Sequence, residues 1–173
     1  MDEIKAYDEA ANTFYRSRNI TALPLVSWDL FGPYFNKLCK DAKDICGLNR
    51  LAQDNQWSYT GKFDRALTEK EHVIVVTDVE LNIVYATHNI SKMNGYPQAE
   101  IMGKKPKMFQ GKDTCKDTAR YISKAVRNKL PFEATLLNYR KNGEPYNCWI
   151  KGEPIFDGKG KLVNFIAYER EVA

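Results

Sequence analysis

Apolar positions in this chain first change their period near residue 70, and that change divides it. Before it they recur at three- and four-residue steps. From Asp2 to Ser17 there is neither Gly nor Pro, and Ile4, Tyr7, Ala11 and Phe14 fall near helical spacing, which predicts a helix with one buried face. After Pro24, with Ser27 able to cap and Pro33 as an alternative first position, Phe31, Phe35, Leu38, Ala42 and Ile45 predict a second amphipathic helix. Gly47 predicts its end or an interruption, and the polar stretch 53–62 predicts a connector.

At His72 the pattern turns to that of strands. His72 to Asp78 and Ile83 to Ala86 predict a hairpin. Short helical pieces follow at Asn89 to Met93 and Gln98 to Met102, then a longer helix from Asp113 to Lys129 that turns Ala119, Ile122, Ala125 and Val126 to one side. Three strands close the chain, Phe132 to Arg140, Tyr146 to Glu153 and Leu162 to Val172. They are joined by the turn sequences Lys141-Asn142-Gly143-Glu144 and Asp157-Gly158-Lys159-Gly160. Two strands, several helices and three strands predict an α+β fold: a five-stranded antiparallel sheet with helices on one face, plus an N-terminal helical extension.

Composition narrows the function classes. The 173 residues, 43% hydrophobic and 28% charged, suit one globular domain and an extension. The net charge of +4 is spread among similar numbers of acids and bases, and the densest basic run, Lys104-Lys105-Pro106-Lys107, reads as a solvated turn. Nucleic acid is therefore not an expected partner. The acidic, mixed start lacks the layout of a secretion signal and no apolar run reaches membrane-spanning length, which predicts a cytoplasmic protein with no membrane partner. Cys39, Cys46, Cys115 and Cys148 show no metal-type pairing and read as buried, inert thiols.

Particular residues add to this layout. Val76-Thr77-Asp78, Ile83-Val84-Tyr85, Met93-Asn94-Gly95-Tyr96, Glu100 to Pro106, Gln110-Gly111, Asn138 to Gly143 and Phe165-Ile166, in that order, resemble the landmarks of the PAS domain family. The resemblance implies a PAS domain over residues 71–173, with residues 1–70 as a helical extension or cap. Through GKKPKMFQG and LLNYRKNG the chain resembles the branch of flavin-binding light sensors called LOV domains. That branch's photochemistry needs a cysteine beside the flavin; here Pro106 stands at that position, and Lys105 and Lys107 replace a usual Asn and Arg. Gln110 and Asn138 match polar residues that would face a flavin, whereas Cys148 and Glu169 stand in place of an Asn and a Gln, and Ser123 in place of a phosphate-binding Arg. The resemblance thus implies no cofactor as the first expectation and FMN as the alternative. Haem is disfavoured, because only His72 and His88 could ligate iron and both read as surface or capping residues.

Alternation along the strands sorts their faces. With Asn138 inward, as the resemblance implies, Ala134 and Leu136 join it, and the same parity turns in Tyr146, Cys148, Ile150, Gly152, Phe165, Ala167 and Glu169. Val75, Thr77, Gln110, Leu136, Asn138, Cys148, Ile150, Phe165 and Glu169 form a candidate ligand pocket, with a packed core as the equal alternative. An inward Glu169 needs a donor or a raised pKa, unless it ends in solvent. Leu137, Tyr139, Trp149, Ile166 and Tyr168 face outward and would leave an apolar patch on a bare sheet. Such a patch predicts a cover: the N-terminal helices, a second copy in a homodimer, or both.

No catalytic constellation is visible in the sequence. There is no nucleophile elbow or phosphate loop, and Glu100, Glu133 and Glu144 read as surface charge. The chain is expected to be a non-enzymatic sensory or signalling module. It would act by ligand- or partner-dependent protein–protein interaction through its sheet surface and N-terminal helices. The competing expectation is a flavin light or redox sensor without the adduct cysteine.

Overall fold

The computed structural model describes residues 25–59, 63–68 and 70–173. The helix expected over residues 2–17 lies outside them. In chain order the elements are α1 (Leu25–Asp54), α2 (Phe63–Thr68), β1 (Val73–Thr77), β2 (Ile83–Ala86), α3 (Ile90–Asn94), α4 (Gln98–Ile101), a short 3-10 helix (Pro106–Phe109), α5 (Lys116–Arg127), β3 (Phe132–Tyr139), β4 (Pro145–Phe156) and β5 (Leu162–Val172). The five strands make one antiparallel sheet in the order β2-β1-β5-β4-β3, as the α+β reading predicts. Residues 38–173 form one compact unit and residues 1–37 another.

β1 lies between β2 and β5 and all five of its residues are buried, which is why it reads as an unbroken apolar run instead of an alternating one. The inner face of the sheet carries one core: Val73, Val75, Ile83 and Cys148 pack with Ile90 and Met93 of α3, Ile101 of α4 and Phe109 of the 3-10 helix. The outer face carries a second, in which Ile74, Val76, Ile155, Ile166 and Tyr168 pack with Leu48 of α1 and Phe63, Ala66 and Leu67 of α2. Two aspartates shape the hairpin turns. Asp78 Oδ1 accepts from the backbone N–H of Glu80 and Asn82 at 2.9 and 2.8 Å. Asp157 Oδ1 does the same for Lys159 and Lys161.

Several local expectations need correction. α1 neither starts at Pro33 nor stops at Gly47; it runs from Leu25 to Asp54. Gly47 has a packing reason instead of a helix-ending one: a Cβ there would lie 2.8 Å from Tyr85 Cε2. The supposed connector is anchored by aromatics. Trp57 bridges to Asp157 and its Nε1 donates to Asn164 Oδ1 at 2.8 Å, while the Trp57, Tyr59 and Phe63 rings contact one another. His72 is not a surface residue. It shares the outer-face parity of Ile74 and Val76 and is buried with its ring 5.3 Å from that of Trp149. Of the cysteines only Cys148 is buried; Cys39 and Cys46, seven residues apart on α1, face away from the side that buries Asp41, Asp44 and Leu48, and Cys115 is exposed just before α5. Among the described residues no helix is long and apolar enough to cross a membrane.

Candidate functional site

Strand register builds the inner wall residue by residue. Val73 sits opposite Glu169, Glu169 opposite Ile150, and Ile150 opposite Ala134, so one transverse row crosses β1, β5, β4 and β3. A second row pairs Thr77 with Phe165. Further along β3 and β4, Leu136 faces Cys148 and Asn138 faces Tyr146. Register and parity thus place Val75, Thr77, Leu136, Asn138, Cys148, Ile150, Phe165 and Glu169 on the inner face, all buried except Ile150, which is half-buried. Gln110 follows the 3-10 helix and is half-buried.

This wall is not an ordinary apolar core. Glu169 is only 5% exposed, and burial pushes its carboxyl from 4.5 up to about 7, opposed only by the Cys148 thiol, whose Sγ lies 3.8 Å from Oε2. Burial raises the Cys148 thiol and the Tyr146 phenol as well. Thr77 Oγ1, Asn94 Nδ2 and Asn138 Oδ1 are buried with no hydrogen-bond partner, and Tyr146 Oη has only the Asn138 side chain beside it. Each such orphan costs about 1–3 kcal/mol; Asn138 and Tyr146, directly opposite one another, mark a place that a polar ligand or water would satisfy, while Thr77, opposite Phe165, lies at the other end of the sheet.

The outward set divides. Ile166 and Tyr168 are buried under α1 and α2, and Trp149 is half-buried against the same cluster, with Nε1 donating to Glu133 Oε1 at 2.9 Å. Tyr168 Oη is 3.0 Å from Tyr59 Oη, which donates to Glu153 Oε2. Leu137 and Tyr139 lie outside that cluster at the β3 edge. Thr114 donates to the Leu137 carbonyl at 2.7 Å, and Tyr139 reaches over Gly111 to donate to Asp113 Oδ2 at 2.8 Å.

α1 is also fixed by polar contacts that the sequence did not reveal. Asp44, 4% exposed, accepts at Oδ2 from the His88 backbone N–H at 2.7 Å and lies 2.8 Å from His88 Nδ1, while its Oδ1 accepts from Tyr85 Oη at 3.0 Å. Asp41 Oδ1 is 3.8 Å from the same imidazole. The sequence pattern pointed to another side of this helix: Phe35, Leu38 and Ala42, on its expected buried face, are exposed, and Asp41, Asp44 and Leu48 are buried instead. Among the described residues no group of three or more His, Cys, Asp or Glu could hold a metal ion.

A flavin is the prosthetic group that the resemblance brings forward. Asn138, with its orphaned Oδ1, Gln110 and a carboxyl held near neutrality at Glu169 offer polar contacts for such a ring. Pro106, the first residue of the 3-10 helix, offers no nucleophile, so the residues present do not support a covalent adduct there.

Comparison with known proteins agrees with this geometry. The PAS domain family model matches residues 71–173. Protein TWIN LOV 1 of Arabidopsis thaliana is 33% identical over 126 residues, covering 68% of this chain and 31% of that protein. Phototropin-2 of Oryza sativa subsp. japonica is 32% identical over 130 residues, covering 73% of this chain and 14% of its own. The chain therefore spans less than a third of either relative. Among solved structures, a light-oxygen-voltage domain studied with a flavin analogue superimposes with a TM-score of 0.61 at 25% identity, covering 66% of this chain and 87% of the other. The light-state LOV domain of the blue-light photoreceptor Aureochrome1 gives 0.58 at 28% identity, over 63% and 88% of the two chains.

Proposed function

The chain belongs to the PAS domain family, and from that premise we propose that it is a non-enzymatic sensory module whose interior state is relayed across the sheet to its N-terminal helices and so to a protein partner. Residues 71–173 would be the sensing domain and residues 1–70 the extension that carries the signal. One observation carries this reading: the same strands wall both the orphaned polar groups inside and the apolar face that α1 and α2 cover outside. Because neighbouring residues on a strand point to opposite faces, a shift that satisfies Asn138 or Glu169 displaces Leu137 or Tyr168. The inner wall would bind a small polar molecule, and the protein would work in the cytoplasm. Tyr34 and Phe35 of α1, 61% and 67% exposed, offer a contact to a partner or to a second copy in a homodimer.

A second reading, a flavin light or redox sensor, is favoured by one specific feature, the near-neutral carboxyl of Glu169. Protonated, it presents both a donor and an acceptor, as an amide would. Asn138, Gln110 and Glu169 would hold the ring, and bound flavin would supply photo- or redox chemistry without a sulfur adduct at Pro106. The visible spectrum of full-length protein purified from cells, with mass analysis of what denaturation releases, separates the two. Flavin bands establish the second reading; a colourless protein that releases another small molecule supports the first. A protein that releases nothing leaves the orphaned groups to water and removes the small-molecule half of the first reading.

A further inference from the structure

The charge of this chain, balanced in its totals, has one basic segment. Residues 104–129 hold nine Lys and Arg against two Asp, a net charge of +7 in a chain of net +4, so the remainder is net negative. α5 concentrates this charge. At 100° per residue, Lys116, Arg120, Lys124 and Arg127 fall within roughly 80° of arc and make a straight stripe about 17 Å long. All four are exposed, whereas the opposite side, Ala119, Ile122, Ala125 and Val126, is buried or half-buried toward the sheet. Among the described residues only Asp117 pairs with the stripe, through a fully solvated contact to Arg120 at 2.8 Å. Tyr121, 52% exposed, flanks it. Nothing inside the fold needs four cations in a row there, and their mutual repulsion along one helix face is unfavourable.

We propose that the exposed face of α5 is a docking surface for an acidic helical segment of a protein partner, whose carboxylates at three- and four-residue spacing meet Lys116, Lys124 and Arg127. The shape of the stripe selects this occupant. A membrane or a nucleic-acid duplex presents a broad sheet of negative charge, wider than one helix face can meet. A single acidic helix matches the stripe in width and period. Tyr121 adds an aromatic body with a hydroxyl tip at the rim, the type of residue enriched where proteins dock. This surface is independent of whether the interior takes a ligand.

The test uses full-length protein and a fluorescein-labelled synthetic helical peptide with Glu at positions i, i+4, i+8 and i+11, read by anisotropy at low and at physiological salt. Binding is expected to weaken with salt. It should fall about tenfold in the neutral triple variant Lys116→Gln/Lys124→Gln/Arg127→Gln, and further in the charge-reversed variant Lys116→Glu/Lys124→Glu/Arg127→Glu. A peptide of the same composition with its Glu positions scrambled should bind several-fold more weakly. Because all three side chains are exposed and repel Arg120 or one another, circular dichroism of both variants should match wild type and their urea midpoints should equal or slightly exceed it. Equal binding by the variants, equal binding of the scrambled peptide, or tighter binding of an oligonucleotide or of phosphatidylserine vesicles would each overturn the proposal.

Discussion

Asp44 and His88 are joined at two atoms: the carboxylate Oδ2 of Asp44 accepts from the His88 backbone N–H at 2.7 Å and meets its ring Nδ1 at 2.8 Å. This pairing clamps α1 to the start of α3, and Tyr85 Oη of β2 closes it from the other carboxylate oxygen at 3.0 Å. Asp44→Ala removes a buried anion and leaves the His88 N–H without its acceptor. The expected cost is about 2–4 kcal/mol, from lost charge-assisted bonds and newly unpaired groups. Urea unfolding checks it, and a loss below about 0.5 kcal/mol would mean that the clamp contributes little to holding α1.

Gly47→Ala sets local propensity against packing. In an open helix the change is favourable by about 1 kcal/mol. Here the new Cβ meets the Tyr85 ring, whose hydroxyl is tied to Asp44, so the ring has little freedom to withdraw. Destabilisation of about 1–3 kcal/mol is expected, and a stabilised variant would show that the ring yields.

These two positions also show why the sequence was legible in one place and silent in another. Strand parity could be read because period-two alternation survives in β3 and at the start of β4, and the turns carry Asp, Asn and Gly in the positions their backbones need. With Asn138 set inward by the family resemblance, alternation then sorts Cys148 and Glu169 with it and Tyr168 to the other face. Asp44 gave no such signal, because its partners lie more than 40 residues away and an acid on a helix ordinarily faces water. Gly47 misled for a related reason: a helix-weakening residue was kept for a contact that only the tertiary fold brings about. Trp57 and Tyr59 were hidden in a segment whose average composition is polar, and Tyr139 leaves the outer patch because β3 is an edge strand beside the Gly111–Asp113 turn.

Glu169 predicts a pH dependence of definite sign. Its folded-state pKa is raised from 4.5 to about 7 by burial, so between these values the folded protein holds a proton that the unfolded chain has released. The contribution of this group to stability therefore falls as pH rises from about 4.5 through about 7, by on the order of 3 kcal/mol in total. Glu169→Gln should flatten that part of the curve. Urea midpoints at several pH values for both proteins check it; parallel curves would contradict a buried, shifted carboxyl.

Deleting residues 1–60 strips α1 and Trp57 from the outer face and uncovers Ile166 and Tyr168, which are 0% and 9% exposed with them in place. The truncated protein is expected to aggregate or to change its oligomeric state in size-exclusion chromatography. A monomeric, well-behaved product with unchanged stability would show that the helix is dispensable to the sheet.

The central claim is that the interior of the sheet communicates with α1 on its far side, and amide hydrogen exchange tests it most directly. At about pH 8, where Glu169 ionises in the wild type, Glu169→Gln restores a neutral interior without changing side-chain size. The account predicts that amides of residues 38–54, on the opposite face of the sheet, become several-fold better protected in the variant relative to β3, with intrinsic exchange unchanged at fixed pH. Altered protection confined to β4 and β5, with residues 38–54 exchanging as in the wild type, would contradict it.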